Sequence, residues 1–177
     1  MGDLVHIKRY TRGRGRMISA TIDVKDKAAT GIVTVFDVAS YILLQLGEIS
    51  TMKLQKLVYY SQAWSLVWDE EPLFNEDFQA WANGPVCPEL FDMHRGHYMI
   101  DASFFDSIGD IESLNEEQKD TIDSVLEFYG DKTGHWLSVL THQERPWKVA
   151  REGYQDGDYC TEIIAKEEMQ DYYGSLS

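Results

Sequence analysis

Histidine and cysteine are the side chains of this sequence best suited to chemistry, because both bind metals and take part in catalysis. His94 and His97 lie three residues apart on a predicted helix that begins just after Cys87. Elsewhere in the body of the chain are His135, His142 and Cys160. A zinc site needs four clustered ligands, and this spacing does not provide them. The sequence therefore disfavours a metal, and the two helical histidines are better explained as surface or core-edge side chains.

A cysteine nucleophile is the second chemistry to consider. It needs a base nearby in space, and Cys87 with His142 is the pair to nominate, because both lie at predicted turn or helix-end positions. A Cys/His-dependent enzyme therefore stays open as an alternative to the commoner role of cysteine as a small hydrophobic side chain. Phosphate-binding glycine motifs and the common hydrolase motifs do not occur, so we expect no cofactor.

The composition is that of one acidic globular domain. The 177 residues are 44% hydrophobic and carry a formal charge of -14, which disfavours nucleic-acid binding. No apolar run approaches the ~20 residues that span a bilayer, and we find no secretory signal. We therefore expect a cytoplasmic protein that does not enter a membrane. The first 16 residues form a basic arm, whereas the rest of the chain has 11 basic and 29 acidic residues.

Hydrophobic periodicity predicts a mainly α protein, a single compact helical domain with small β-strand elements and an N-terminal strand-like extension. We place the extension at residues 1–33 and the helical domain at 34–177. The predicted helices are 35–46, 51–68, 88–98, 116–129, 136–141, 146–151 and 165–173. Alternating apolar residues predict strands at 18–24 and 77–81, and Asn83-Gly84-Pro85 is typical of a turn.

One stripe of the predicted helix at 51–68 is polar although the helix is expected to be buried. Gln55, Tyr59 and Gln62 follow one another at helical spacing along this stripe. A buried amide costs free energy unless it is fully hydrogen-bonded. These side chains therefore either hold the turn at 81–85 from the inside or face a partner.

Two parts of the chain carry a family resemblance. The first combines MKLQKLVYYSQAW at 52–64, PLF at 72–74 and QAWANGPVCPEL at 79–90, and the second is LSVLTHQERPW at 137–147. In order and separation these segments resemble the Panacea antitoxin domain, a family that includes SocA-like and phage-associated GepA-like proteins. The resemblance covers roughly residues 35–173.

The resemblance implies a function and a set of residues. It implies a non-enzymatic antitoxin of a type II toxin–antitoxin system, which neutralises a protein toxin from a neighbouring gene by direct binding. Some relatives are adaptors that deliver the toxin to a ClpXP-type protease, and this alternative stays open. The residues nominated as partner-binding residues or as structural residues of the motif are Gln55, Lys56, Tyr59, Tyr60, Gln62, Trp81, Gly84, Pro85, Thr141, His142 and Trp147.

Physical reasoning adds to what the resemblance implies. Gly84 permits a tight turn, Pro85 stiffens the entry to the next helix, and Trp147 is expected to close the core. The acidic charge suits a molecule that covers a basic toxin surface with electrostatic steering, and the N-terminal extension is expected to select the toxin. A DNA-binding regulator that uses the basic arm is a further alternative, although no basic helix-turn-helix is evident. The sequence leaves homo-oligomer formation open.

Overall fold

The computed structural model describes residues 7–9 and 32–177, and it confirms the mainly α fold class. The α-helices of this part of the chain are α1 (Val35–Leu46), α2 (Thr51–Trp68), α3 (Pro88–His94), α4 (Glu116–Tyr129), α5 (Gly134–Gln143), α6 (Arg145–Ala150) and α7 (Lys166–Gly174). Two small antiparallel sheets pair β1 (Ile49–Ser50) with β4 (Met99–Ile100), and β2 (Gln79–Trp81) with β3 (Gly84–Val86). Short 3-10 helices occupy Ala102–Phe105 and Ile111–Ser113. None of the described helices is long and apolar enough to cross a bilayer.

The N-terminal extension is described only in part. The predicted strand at 18–24 and most of the basic arm lie outside the described residues. Within residues 7–9, Ile7 is buried in the hydrophobic core. Arg9 Nη2 lies 2.7 Å from Asp69 Oδ1, at the C-terminal end of α2. This piece of the extension therefore packs against the helical domain.

The helix predicted at 88–98 is too long. In the structure α3 ends at His94, because Arg95 leaves the helical region of backbone space with φ -51° and ψ 130°. Gly96 then adopts a φ of +85°, which reverses the chain. His97 therefore lies outside α3, so the two histidines do not share a helix.

The turn predicted at Asn83-Gly84-Pro85 is placed too late by about two residues. Gly84 and Pro85 begin β3, and Ala82 with Asn83 forms the turn of the β2–β3 hairpin. A proline fits this strand because its partner Ala80 sends its N–H away from the pair, to Glu162 O at 2.9 Å. The sequence therefore predicts a chain reversal in the right place, but the turn itself is at Ala82 and Asn83.

The α2 helix is the centre of the domain. Every residue from 54 to 66 is buried, and α1, α4, α5, α7 and β3 all pack against α2. The apolar periodicity of this helix predicts a core stripe of Leu54, Leu57, Val58, Trp64 and Trp68, of which the first four are fully buried and Trp68 is half-buried. The polar side chains on the remaining faces are buried as well, so each must find hydrogen-bond partners inside the protein.

Gln62 shows how α2 holds the irregular chain that follows it. Its Oε1 accepts hydrogen bonds from the N–H of Leu73 at 2.7 Å and of Phe74 at 3.4 Å. Its Nε2 donates to Phe74 O at 2.8 Å. The segment between α2 and β2 has no regular partner strand here, so this one amide satisfies backbone groups that would otherwise be buried without partners.

Replacing Gln62 with Met should destabilise the domain by about 3 kcal/mol, because the side chain keeps its volume while Leu73 and Phe74 lose their buried hydrogen bonds. The free energy of unfolding in urea measures this loss. Gln143→Met, at an exposed position, is the control and should change stability by less than about 0.5 kcal/mol. Equal stability of the two variants would contradict the assigned role of Gln62.

Candidate functional site

The β2–β3 hairpin is the point on which both parts of the sequence signature converge. A two-stranded hairpin is only marginally stable alone, so its buried carbonyls need outside donors. Side chains from three helices and the residue after α6 donate to four of these carbonyls. The bonds are Lys56 Nζ to Pro85 O (3.0 Å), Ser138 Oγ to Asn83 O (2.7 Å), Trp147 Nε1 to Trp81 O (2.9 Å) and Arg151 Nη1 to Ala80 O (2.8 Å).

Gly84 is required at its position for two reasons. Its φ of +102° is a conformation that side-chain-bearing residues rarely adopt. A Cβ built on Gly84 would also lie 2.7 Å from Lys56 Cε and 2.7 Å from Thr141 Oγ1. Thr141 is itself fixed by donating to Ser138 O at 2.8 Å. The predicted motif residues at 56, 84, 85 and 141 are therefore in close contact inside the protein.

Gly84→Ala should destabilise the protein by about 3 kcal/mol, since strain at positive φ adds to the clash with Lys56 and Thr141. Gly153→Ala is the matched control, because Gly153 has a φ of +89° but nothing within 4 Å of its added Cβ. That variant should lose only about 1 kcal/mol. Thermal and urea unfolding of both variants measure the difference, and an equal loss would remove the close approach as the cause.

Gln55 satisfies backbone groups at the start of α3, as Gln62 does in the segment after α2. Its Oε1 accepts from Cys87 N at 2.9 Å, and its Nε2 donates to Cys87 O at 3.3 Å. The same Nε2 lies 3.0 Å from His94 Nε2. The amides of Gln55 and Gln62 are thus hydrogen-bonded within the chain, but at Cys87 and at residues 73–74 rather than at the turn at 81–85.

Lys56 is a buried cation without a carboxylate partner. Its side chain is 1% exposed, and the hydrogen bond to Pro85 O is its one polar contact with the described residues. Burial lowers the pKa of Lys56 to about 7, because removal from water disfavours the ammonium form. Lys56 is therefore far less charged at neutral pH than an exposed lysine.

Tyr59 and Tyr60 belong to an aromatic cluster that surrounds the buried carboxylate of Glu144. Tyr60 OH donates to Glu144 Oε2 at 3.0 Å and Tyr173 OH donates to the same oxygen at 2.7 Å. Tyr60 also stacks on Tyr129 with 4.1 Å between ring centroids. Burial raises the pKa of Glu144 to about 7, although the tyrosine hydrogen bonds partly oppose this change.

The raised pKa of Glu144 predicts a loss of stability as pH rises. Between about pH 4.5 and 7 the folded protein keeps a proton that the unfolded chain has released, so the free energy of unfolding falls across that window. Glu144→Gln keeps an oxygen acceptor for Tyr60 and Tyr173 but carries no charge. It should match the wild type near pH 4.5 and exceed its stability by about 3 kcal/mol at pH 8.

Urea unfolding at a series of pH values tests the Glu144 prediction. Glu167→Gln, on the exposed face of α7, removes the same charge and serves as the control. Its difference from the wild type should vary little with pH. If Glu144→Gln were no more stable than the wild type at pH 8, the buried carboxylate would not be the source of the pH dependence.

His142 and Trp147 form a stacked pair beside the hairpin. Their ring centroids are 4.3 Å apart with an interplanar angle of 26°, and the Arg151 guanidinium carbon lies 5.0 Å from the Trp147 centroid. Burial lowers the pKa of His142, and the nearby charges of Lys56 and Arg151 lower it further. His142 Nε2 is buried and has no hydrogen-bond partner among the described residues. A neutral imidazole that supports the Trp147 ring accounts for this arrangement.

The environment of Cys87 does not favour a nucleophile. Its side chain is buried at the start of α3, and its Sγ lies 3.3 Å from Glu89 Oε2. Burial, together with the Glu89 carboxylate, raises the pKa of Cys87 to about 12, so the reactive thiolate is disfavoured at neutral pH. In residues 7–9 and 32–177 no group of three or more His, Cys, Asp or Glu side chains could hold a metal ion.

A pocket of about 370 Å³ opens between the N-terminal half of α2, the hairpin and α3. Trp81 and Phe91 form one wall, in an edge-to-face pair with 4.8 Å between centroids. Met52 and Tyr159 line it as well and are well exposed. Its buried polar lining consists of Gln55, Lys56 and His94. The pocket is thus mainly apolar with a few polar groups at its base.

The nominated residues separate into three places. The hairpin region brings together Gln55, Lys56, Trp81, Gly84, Pro85, Thr141, His142 and Trp147, while Tyr59 and Tyr60 lie in the aromatic cluster and Gln62 lies against residues 73–74. Sequence reasoning missed the roles of Ser138, Glu144 and Arg151. The first two lie inside the block at 137–147, so that block was the available signal. Of the pocket residues, His94 was considered only as a metal ligand, and Phe91 and Tyr159 gave no signal in the sequence.

In this helical domain the motif residues hold a hairpin, and some of them line the pocket beside it. The family model for SocA-like antitoxins, Panacea domain, matches residues 54–148, which contain most of α2, the hairpin, α3, α4 and α5. The chain therefore belongs to the SocA-like Panacea antitoxin family, and the membership indicates an antitoxin role. No curated protein and no solved structure gives a significant match to the chain.

Proposed function

We propose that this protein is the antitoxin of a type II toxin–antitoxin system and neutralises a protein toxin, encoded by a neighbouring gene, by covering it in the cytoplasm. The observation that carries the proposal is the family match over residues 54–148. An antitoxin role implies a protein toxin as the partner. The high pKa of Cys87 supports binding over cysteine catalysis as the mode of action.

The surface that we propose for the toxin surrounds Met52. Met52 lines both the 370 Å³ pocket and a second depression of about 550 Å³, which Tyr98 and Met99 also line. We call Met52, Trp81, Phe91, Tyr98, Met99 and Tyr159 together the Met52 surface. Tyr98 is 79% exposed and Tyr159 82% exposed, which is unusual for large aromatic side chains. Aromatic residues and methionine are enriched where proteins bind one another.

Charge supports a basic partner. The sequence carries a formal charge of -14, so its field attracts a positively charged toxin and speeds the encounter. We propose direct covering of the toxin as the mode of neutralisation, with residues 1–33 contributing to the choice of toxin. Delivery to a ClpXP-type protease would appear instead as rescue that requires that protease.

The Met52 surface is tested by co-expressing the neighbouring gene with variants of this protein. The double substitution Tyr98→Asp and Tyr159→Asp should abolish rescue from toxicity and weaken the purified complex by about 100-fold, because it places charges in an apolar contact. Both side chains are mostly exposed, so the fold should survive, as circular dichroism and thermal unfolding would show.

Leu44→Asp is the control, because Leu44 is an exposed apolar residue of α1 outside the Met52 surface. It should rescue like the wild type. Full rescue by the Tyr98/Tyr159 variant would reject the Met52 surface while leaving the antitoxin role intact. A neighbouring gene that is harmless to cells, and whose product never co-purifies with this protein, would reject the antitoxin role itself.

A further inference from the structure

We propose that the 370 Å³ pocket is a binding site for a small aromatic carboxylic acid, with the carboxylate on Lys56 Nζ and the ring against Trp81 and Phe91. This site goes beyond toxin binding, because it concerns a free small molecule and uses Lys56 at the buried end of the pocket, while it shares Trp81 and Phe91 with the Met52 surface.

The first support is the unused capacity of Lys56. An ammonium group has three N–H donors, and among the described residues only Pro85 O receives one of them. No carboxylate of the described residues forms an ion pair with Lys56. A buried ammonium group without a counter-ion is costly, so Lys56 is only partly protonated at neutral pH, and an anion that enters the pocket would stabilise its charged form. Charge therefore selects an anionic group for the base of the pocket.

The second support is the chemistry of the other lining groups. The Gln55 amide is already hydrogen-bonded to both backbone groups of Cys87, so it offers little to a ligand. Asn83 is also a lining residue, and its side-chain amide makes no hydrogen bond with the described residues, so this amide is available to donate to a second carboxylate oxygen. Lys56 and Asn83 together provide the donors that a carboxylate needs.

The third support is shape. A pocket of about 370 Å³ lies within the range of small-molecule sites and accommodates one or two fused rings. Trp81 and Phe91 are already held in an edge-to-face pair, and an aromatic ligand can pack against them at little cost in side-chain ordering. Tyr159 lines the same pocket and is mostly exposed, so it offers a further aromatic surface to a ligand. An aromatic acid matches both the apolar wall and the cationic base.

The experiment compares an acid with its neutral amide on the purified full chain. Isothermal titration calorimetry would measure the binding of indole-3-acetate and 3-phenylpropionate, and then of indole-3-acetamide and 3-phenylpropionamide. The acids should bind at least about tenfold more tightly than the amides, because only the carboxylate pairs with Lys56. Equal affinity of acid and amide, or no binding of either acid at about 10 mM, would overturn the proposal.

Two lysine variants identify the group responsible. Lys56→Met, which keeps the length of the side chain, should reduce acid affinity to that of the amide, whereas Lys148→Met on the exposed face of α6 should leave it unchanged. Undiminished acid binding by folded Lys56→Met would overturn the assignment to Lys56. The acid–amide comparison on the wild type decides the proposal even if Lys56→Met does not fold. The assay contains no toxin, so its failure would leave the antitoxin proposal standing.

Discussion

The structure depends on hydrogen bonds between buried side chains and the backbone of an irregular segment. Residues 69–87 connect α2 to α3 and form only a short hairpin, so many of their backbone groups have no regular partner. Gln62, Lys56 and Gln55 satisfy these groups from α2 at residues 73–74, 85 and 87 respectively. Because an unsatisfied buried backbone group costs about 1 to 3 kcal/mol, these polar residues of the central helix are as important as its apolar stripe.

The domain buries two ionisable side chains, Lys56 and Glu144, in different surroundings. Lys56 lies beneath the hairpin with a carbonyl as its partner, and Glu144 lies among tyrosines with hydroxyl groups as its partners. Each therefore has neutral hydrogen-bond partners and no opposite charge. Burying an ionisable group without an opposite charge costs free energy, and the hydrogen bonds that Lys56 and Glu144 make with their neutral partners offset part of that cost. The tyrosines around Glu144 donate hydrogen bonds to its carboxyl group through their hydroxyls, and their rings pack in the surrounding core.

The sequence predicts the regular elements better than the contacts between them. The bounds of α1 and α2 were predicted correctly, because their apolar residues follow the helical period over several turns. The β1–β4 pair has two residues in each strand, which is too short for a periodic signal. Gln55 and Gln62 were recognised as needing partners, but their partners could not be named from local spacing.

The contacts of Arg151 and Glu144 were harder still to predict. Arg151 reaches Ala80, 71 residues earlier in the chain, and Glu144 meets Tyr60, 84 residues earlier. Nothing in the local pattern around either residue indicates such partners, because long-range pairing is decided by how the helices pack. The pocket could not be predicted for the same reason, since α2, the hairpin, α3 and the chain at 157–160 each contribute to its lining.

The inward orientation of the family's signature residues has a consequence for how such a protein can diversify. Gln55, Lys56 and Gly84 are buried inside the domain, whereas Met52, Tyr98 and Tyr159 of the proposed contact surface are exposed. Exchanging the outer side chains leaves the internal hydrogen bonds intact. The surface can therefore change to suit a new partner while the fold stays the same.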